Sequence, residues 1–182
     1  MPAILPAARP RISREKIQLI LAQHRVAAPV ALVGIRGYYR DTMGKHGAND
    51  RGIYDDAICL ISKDAFVAFN ANVDPSVHRR AIAVLQPGVW TYQLGIHGLS
   101  KPKEQRYRAL IQAAAVTVLR DGGKGDYGWF GINIHRGGRT TTSSLGCQTL
   151  PPDQWPAFIA LVEAEMKRAG VSELKYVLTE QP

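Results

Sequence analysis

Trp129-Phe-Gly-Ile-Asn-Ile-His135-Arg-Gly-Gly-Arg-Thr-Thr-Thr-Ser-Ser144-Leu-Gly-Cys147-Gln-Thr-Leu150 holds a histidine at the end of an alternating segment, then a polar loop, then a cysteine directly after a glycine. Phe130, Ile132 and Ile134 alternate with Gly131, Asn133 and His135, the period of a strand with one buried face. His135 therefore faces away from the apolar residues, on the side of Asn133. A hairpin centred on Thr141 would return the chain antiparallel and set His135 directly opposite Cys147, with Cβ atoms about 4.5–5.5 Å apart. The stretch thus predicts a folded-back ribbon that brings an imidazole to a thiol.

Such a pair has a use. A free thiol is mostly protonated at neutral pH, and a neighbouring imidazole takes its proton or holds it as a thiolate–imidazolium pair. Gly146 lets backbone pass close to a substrate carbonyl, so that the N–H of Cys147, together with that of Gly146, stabilises an oxyanion. No acidic residue lies between His135 and Cys147, which leaves the carbonyl of Arg136 or Gly137 as the nearest acceptor to orient the imidazole. Taken singly, a cysteine is more often a small buried hydrophobe than a nucleophile, and a strand-end histidine is often only a satisfied polar residue. Their order along one stretch is what favours chemistry.

Ile134-His135, a Gly- and Thr-rich loop and Ser144-Leu145-Gly146-Cys147 resemble the active-site signature of the L,D-transpeptidase family, with similarity to short phage-type or secreted murein-active relatives. That family reads His-Gly, a spacer, then Ser/Thr-His-Gly-Cys. Here Arg136 stands for the glycine, Leu145 for the second histidine, and Gln148-Thr149 for a hydrophobic residue followed by Asn or Arg. The resemblance implies an L,D-transpeptidase-like sheet core, Cys147 as nucleophile and His135 as its base. It further implies attack on peptidoglycan stem peptides through a cysteine acyl-enzyme, in transfer or in hydrolysis. Arg136, Arg139, Ser143 and Ser144 are the expected substrate contacts, because stem peptides carry carboxylates that guanidinium groups bind well. The reaction calls for no cofactor and no metal.

Composition sets the frame. The 182 residues, 46% hydrophobic and 21% charged, are those of an ordinary globular chain,, and predict a single domain over 1–182. The net charge of +8 attracts polyanions, whether nucleic acid, an acidic wall or anionic lipid. No run of five or more basic residues and no nucleic-acid-binding motif selects the first, so no specific nucleic acid is expected. No stretch is long and apolar enough to span a membrane, and the start has neither the basic region nor the apolar run of a signal peptide. The expectation is a monomer, synthesised in the cytoplasm, that reaches the periplasmic cell wall by another route such as a phage holin or a secretion apparatus. Of the two cysteines, Cys59 sits in Ala57-Ile-Cys-Leu-Ile61 and reads as core,.

Working outward, residues 1–11 read as an irregular arm, opposed to helix by Pro2, Pro6 and Pro10,. Ser13 reads as the cap of a helix over 14–24, with Ile12 and Ile17 as a staple. Strands are expected at 29–35, 53–62, 65–72, 89–97 and 113–119, with a turn at Ser62-Lys-Asp64. His46, Asn49, Asp50, Asp55 and Asp56 fit no metal template and read as a solvated loop and its flank. His97 ends a strand as His-Gly; it lies far from Cys147 and reads as a groove-lining residue ranked below His135. A short helix is expected at 103–111, and the glycines of 121–126 form a flexible loop. After Pro151-Pro152, Asp153 reads as the cap of a second helix with Trp155, Phe158, Ile159, Val162 and Met166 as its apolar stripe and Gly170 as its stop. A strand over 174–178 closes an α+β chain.

Two other classes fit parts of this pattern. One is a zinc-dependent murein amidase or peptidase that draws ligands from His46, His78, His97, His135 and Cys147. The other is a basic protein that binds wall polymer or nucleic acid without turnover.

Overall fold

The computed structural model describes residues 4–181. Over those residues the chain is a single α+β domain with two helices and a strand-rich architecture. The expected arm is irregular from Ile4 to Ser13; its first three residues lie outside the described ones.

Helix α1 (Arg14–Gln23) starts where expected, with the Ser13 hydroxyl accepting from the Lys16 N–H at 3.2 Å. Strands β1 (Val30–Arg36) and β2 (Asp56–Ser62) are buried along their whole length, as continuous apolar runs should be when both sheet faces are covered. Ala31, Val33, Ile35, Ala57, Cys59 and Ile61 pack under Ile17 and Leu21 of α1. The alternate residues Leu32, Ile58 and Leu60 join the main core. That core is filled by helix α2 (Trp155–Ala169) through Trp155, Phe158, Val162 and Met166. Asp153 does not cap α2: the cap is Gln154, whose side chain instead accepts from the Asn70 N–H at 3.1 Å and donates to the Asn70 side-chain oxygen at 2.7 Å. A missing side-chain cap costs about 1 kcal/mol, and burial of even one such apolar side chain, at roughly 1.5–3 kcal/mol, exceeds it. Gly170 stops α2 with φ of 67°.

The remaining strands are β3 (Phe66–Ala71), β4 (Ala83–Leu85), β5 (Gly88–His97), β6 (Tyr107–Gln112), β7 (Val116–Arg120), β8 (Gly125–Gly128), β9 (Ile134–Arg136), β10 (Gln148–Leu150) and β11 (Glu173–Glu180). Eight of the eleven strands form one sheet in the order β10-β9-β6-β5-β11-β1-β2-β3, and β4-β7-β8 form a second. An antiparallel bridge between Asn72, just past β3, and Thr149 of β10 joins the two edges of the large sheet, so the sheet curls until its ends meet beside Cys147.

Two expectations are corrected. The helix expected at 103–111 is a 3₁₀ turn over Lys103–Gln105 followed by β6, because this segment is claimed as a ladder partner by β5 on one side and β9 on the other. The ribbon around Thr141 is not a hairpin. β9 and β10 are parallel, with His135 in register with Thr149 rather than with Cys147, and the regular strand begins only at Ile134. The loop over 137–147 carries the chain back to the starting end of β9, where the Gln148 N–H donates to the Asn133 carbonyl at 2.8 Å. Parity survives the change of direction: Cys147 lies two residues before Thr149, so the register carries it to the same face as His135. The two become diagonal rather than facing neighbours across the parallel pair.

Candidate active site

Three strand ends converge on one face. His97 closes β5 opposite Tyr107, which opens β6, and β6 runs antiparallel to β9, which carries His135. The imidazoles of His97 and His135 stack with centroids 4.1 Å apart, and the Tyr107 ring lies 5.3 Å from His97 and edge-on to Trp155 of α2. His135 is buried, and its Nδ1 sits 2.8 Å from the Arg136 carbonyl. A carbonyl only accepts, so Nδ1 carries the proton and Nε2 is left with its lone pair. The Tyr107 hydroxyl donates to the same carbonyl at 3.3 Å, while the Arg136 guanidinium lies over the Tyr107 ring at 4.7 Å. One backbone oxygen thus fixes both side chains.

The loop before β10 is held by its own polar groups. The Ser144 hydroxyl donates to the Cys147 carbonyl at 2.6 Å and accepts from the Gly146 N–H at 3.0 Å, and its backbone is tied to Ser76 in both directions. Gly146 has φ of 131°, and a Cβ there would stand 2.7 Å from the Ala83 carbonyl, so the position needs glycine on both counts. Gln148 reaches back to the Gly146 carbonyl at 3.2 Å and accepts from the Tyr176 hydroxyl of β11 at 3.2 Å. Cys147 is half-buried. Its thiol donates to the Gly131 carbonyl and accepts from the Asn133 N–H, each at 3.4 Å. Among the described residues no hydrogen bond joins the thiol to His135, and the Cys147 N–H has no partner.

The electrostatics make both groups neutral. Desolvation pushes the Cys147 thiol above its ordinary range, against a smaller lowering by the Asn133 N–H. Burial, then the adjacent His97, push His135 down to about 4. His97 is itself lowered by desolvation and by Lys101. The arrangement is therefore a thiol beside a free base, rather than a standing thiolate–imidazolium pair. Both groups line a cavity of about 580 Å³, together with His97, Tyr107, Arg136 and Ser143. Lys101 and Glu104 form part of its wall.

Of the residues expected to form the site, Cys147, His135, His97, Arg136 and Ser143 meet at this cavity. Arg139 does not: it pairs with Asp153 at 2.8 Å on the exposed surface beside another pocket. Ser144 is buried and spends its hydroxyl on the loop backbone, so it braces the cysteine instead of meeting a ligand. The Gly146 N–H is likewise taken by Ser144, which leaves the Cys147 N–H alone of the two expected oxyanion donors. Tyr107 was not anticipated, since nothing in its local sequence marks it; Gln148 stood out only as a departure from the family pattern. Among the described residues no three His, Cys, Asp or Glu side chains are gathered closely enough to hold a metal ion, and His78 lines a separate pocket with Arg79, Arg80 and Asp121. The zinc-ligand set drawn from the five residues is therefore not assembled.

No helix of the described residues is long and apolar enough to cross a membrane. Comparisons with protein-family models, with curated proteins and with solved structures find no match to this chain.

Proposed function

We propose that this chain is a cysteine enzyme of the L,D-transpeptidase type, acting on peptide carbonyls of peptidoglycan stem peptides in the bacterial cell wall. The reading is carried by one observation: a thiol, an unpartnered N–H on the same residue, and an imidazole whose Nε2 is left free by a fixed tautomer all belong to one cavity wall. The resemblance of the surrounding motif supplies the substrate class, and the cationic Arg136 and Lys101 at the cavity suit the carboxylates of such peptides.

The chemistry follows from these positions. Rotation of the Cys147 side chain takes its S–H from the Gly131 carbonyl toward His135. As sulfur attacks the substrate carbonyl carbon, the thiol proton passes to Nε2 and the new oxyanion meets the Cys147 N–H. Collapse breaks the C–N bond, the imidazolium returns the proton to the leaving amine, and a thioester remains on sulfur. Water or a second amine then attacks the thioester, giving up a proton to His135, and the thiol is restored. Apo geometry that is looser than hydrogen-bonding distance is common for such pairs.

The test is incubation with purified muropeptides, with products identified by mass. The wild type is expected to give shortened or exchanged stem peptides, and Cys147→Ala none, with an unchanged circular dichroism spectrum. Full activity in that variant ends the proposal.

A further inference from the structure

A surface next to the cysteine has no part in the reaction just described. Strand β7 is the centre of the β4-β7-β8 sheet and pairs with β8, with Val116 and Val118 buried, so Thr117 and Leu119 face outward. Tyr127 stands directly opposite Thr117 and shares that outer face. It is 70% exposed, and Trp129, two residues on, is 67% exposed, whereas Trp155 is 5% exposed. Gly125 is opposite Leu119, so no side chain screens the face from that side. The backbone beneath is clamped. Gln112 donates to the Gly128 carbonyl at 3.1 Å and accepts from the N–H groups of Phe130 and Ile132 at 3.3 and 3.0 Å. The Phe130 ring is held under the Arg120 guanidinium at 4.9 Å. Two large aromatic side chains are thus left in solvent on a fixed backbone, and tyrosine and tryptophan are residue types enriched at contact surfaces.

We infer that Tyr127 and Trp129 form a platform for a pyranose ring of the glycan strand from which the stem peptide hangs, an inference that rests on the peptidoglycan reading above. Two arguments select this occupant. The negative face of an aromatic ring attracts polarised C–H groups, which a pyranose presents as a flat array. The platform is also close to the reacting sulfur along the chain: Trp129 is two residues from Gly131, whose carbonyl accepts the Cys147 thiol. Two residues span at most about 7 Å, and an extended stem of three residues roughly 10–11 Å. A stem whose carbonyl lies at Cys147 therefore brings its sugar end within reach of the aromatic pair.

Two measurements on the full chain test this. In the first, kcat/KM is compared for disaccharide-linked stem peptides and for the same peptides without sugar, in wild type, Trp129→Ala and Trp129→Tyr. The ratio of linked to free substrate should fall about three- to tenfold in Trp129→Ala, the worth of one aromatic contact, and recover in Trp129→Tyr. An equal fall on both substrates, or none, overturns the platform while leaving the proposed reaction standing. In the second, Cys147→Ala protein is titrated with peptide-free glycan while tryptophan fluorescence is followed. A blue shift that is lost on Trp129→Phe supports the platform even if neither peptide substrate is turned over, in which case the reaction assigned to Cys147 is what fails. No shift overturns it, as does concentration-dependent dimerisation that Trp129→Ala abolishes, because the face would then be covered by a second copy.

Discussion

Burial and the neighbouring His97, Lys101 and Arg136 hold the His135 imidazole neutral down to about pH 4, so the base is ready to accept a proton across the whole range above that. The thiol is raised rather than lowered, so no standing thiolate sets the nucleophile's activity near neutrality. The kcat/KM profile on muropeptides should accordingly have its acid limb near pH 4 and be flat from about pH 5 to neutrality, since protonated His135 cannot accept. Because kcat/KM reports the free enzyme, a limb at the ordinary histidine value of about 6.5 would show that burial and His97 do not hold His135 down before substrate binds. At this scale the sequence was half legible. A histidine and a glycine-preceded cysteine within one polar stretch stood out by type and order. Tyr107 and Gln112 did not, because their importance comes from strands brought alongside by the sheet and not from anything in their own neighbourhood.

Ser144 shows how an element, rather than a side chain, delivers the cysteine. Its hydroxyl satisfies both the Gly146 N–H and the Cys147 carbonyl, and removing a buried partner costs about 1–3 kcal/mol for each group left unsatisfied. Ser144→Ala is expected to lower stability by roughly that amount and to reduce kcat more than KM, as judged by thermal melting and steady-state kinetics. An unaltered kcat would mean that the loop keeps its shape without the hydroxyl. The longer elements were readable, because α1, α2, β1 and β2 have the periods or apolar runs that burial demands. The three-residue β4 is too short to show any period. Segment 103–111 misled because its charges sit at spacings a helix also allows, and pairing on both sides decided for a strand over most of it,. In the β9–β10 stretch, alternation gave the face of His135 and Cys147 correctly but not the direction of the returning chain, since a two-residue period fixes sides and says nothing of partners.

At the scale of the whole molecule, two sets of buried groups pull stability in opposite directions with pH. His135 is pushed from the ordinary 6.5 down to about 4, so stability is full above about pH 6.5 and declines by roughly 3 kcal/mol as the unfolded chain gains a proton between there and pH 4. Asp55 and Asp56 lie under the 37–52 loop, and Asp56 accepts from the N–H groups of Gly37 and Val73 at 2.6 Å. Desolvation raises both carboxyls, Asp55 to about 7. For them the folded chain keeps the proton longer, so their contribution is full below about pH 3.8 and is lost as pH rises, that of Asp55 through about 7,. Asp55→Asn removes one such ionisable group while leaving an amide oxygen that can accept from the Asp50 N–H. Its melting temperature is expected to exceed that of the wild type by a few degrees at pH 8 and to match it near pH 4. A variant that melts lower at pH 8 would show that the ionised carboxylate is needed there.

The same-way run of β9 and β10 has an evolutionary corollary. In a hairpin, one inserted residue turns every following side chain to the opposite side. Here the tip of the intervening segment, Arg139 to Thr141, is exposed and dictates no pairing, so insertions at that tip would leave base and nucleophile where they are. Descendants of this chain can drift in the interval between the two residues without losing the chemistry, and a pattern that demands one fixed gap will overlook them.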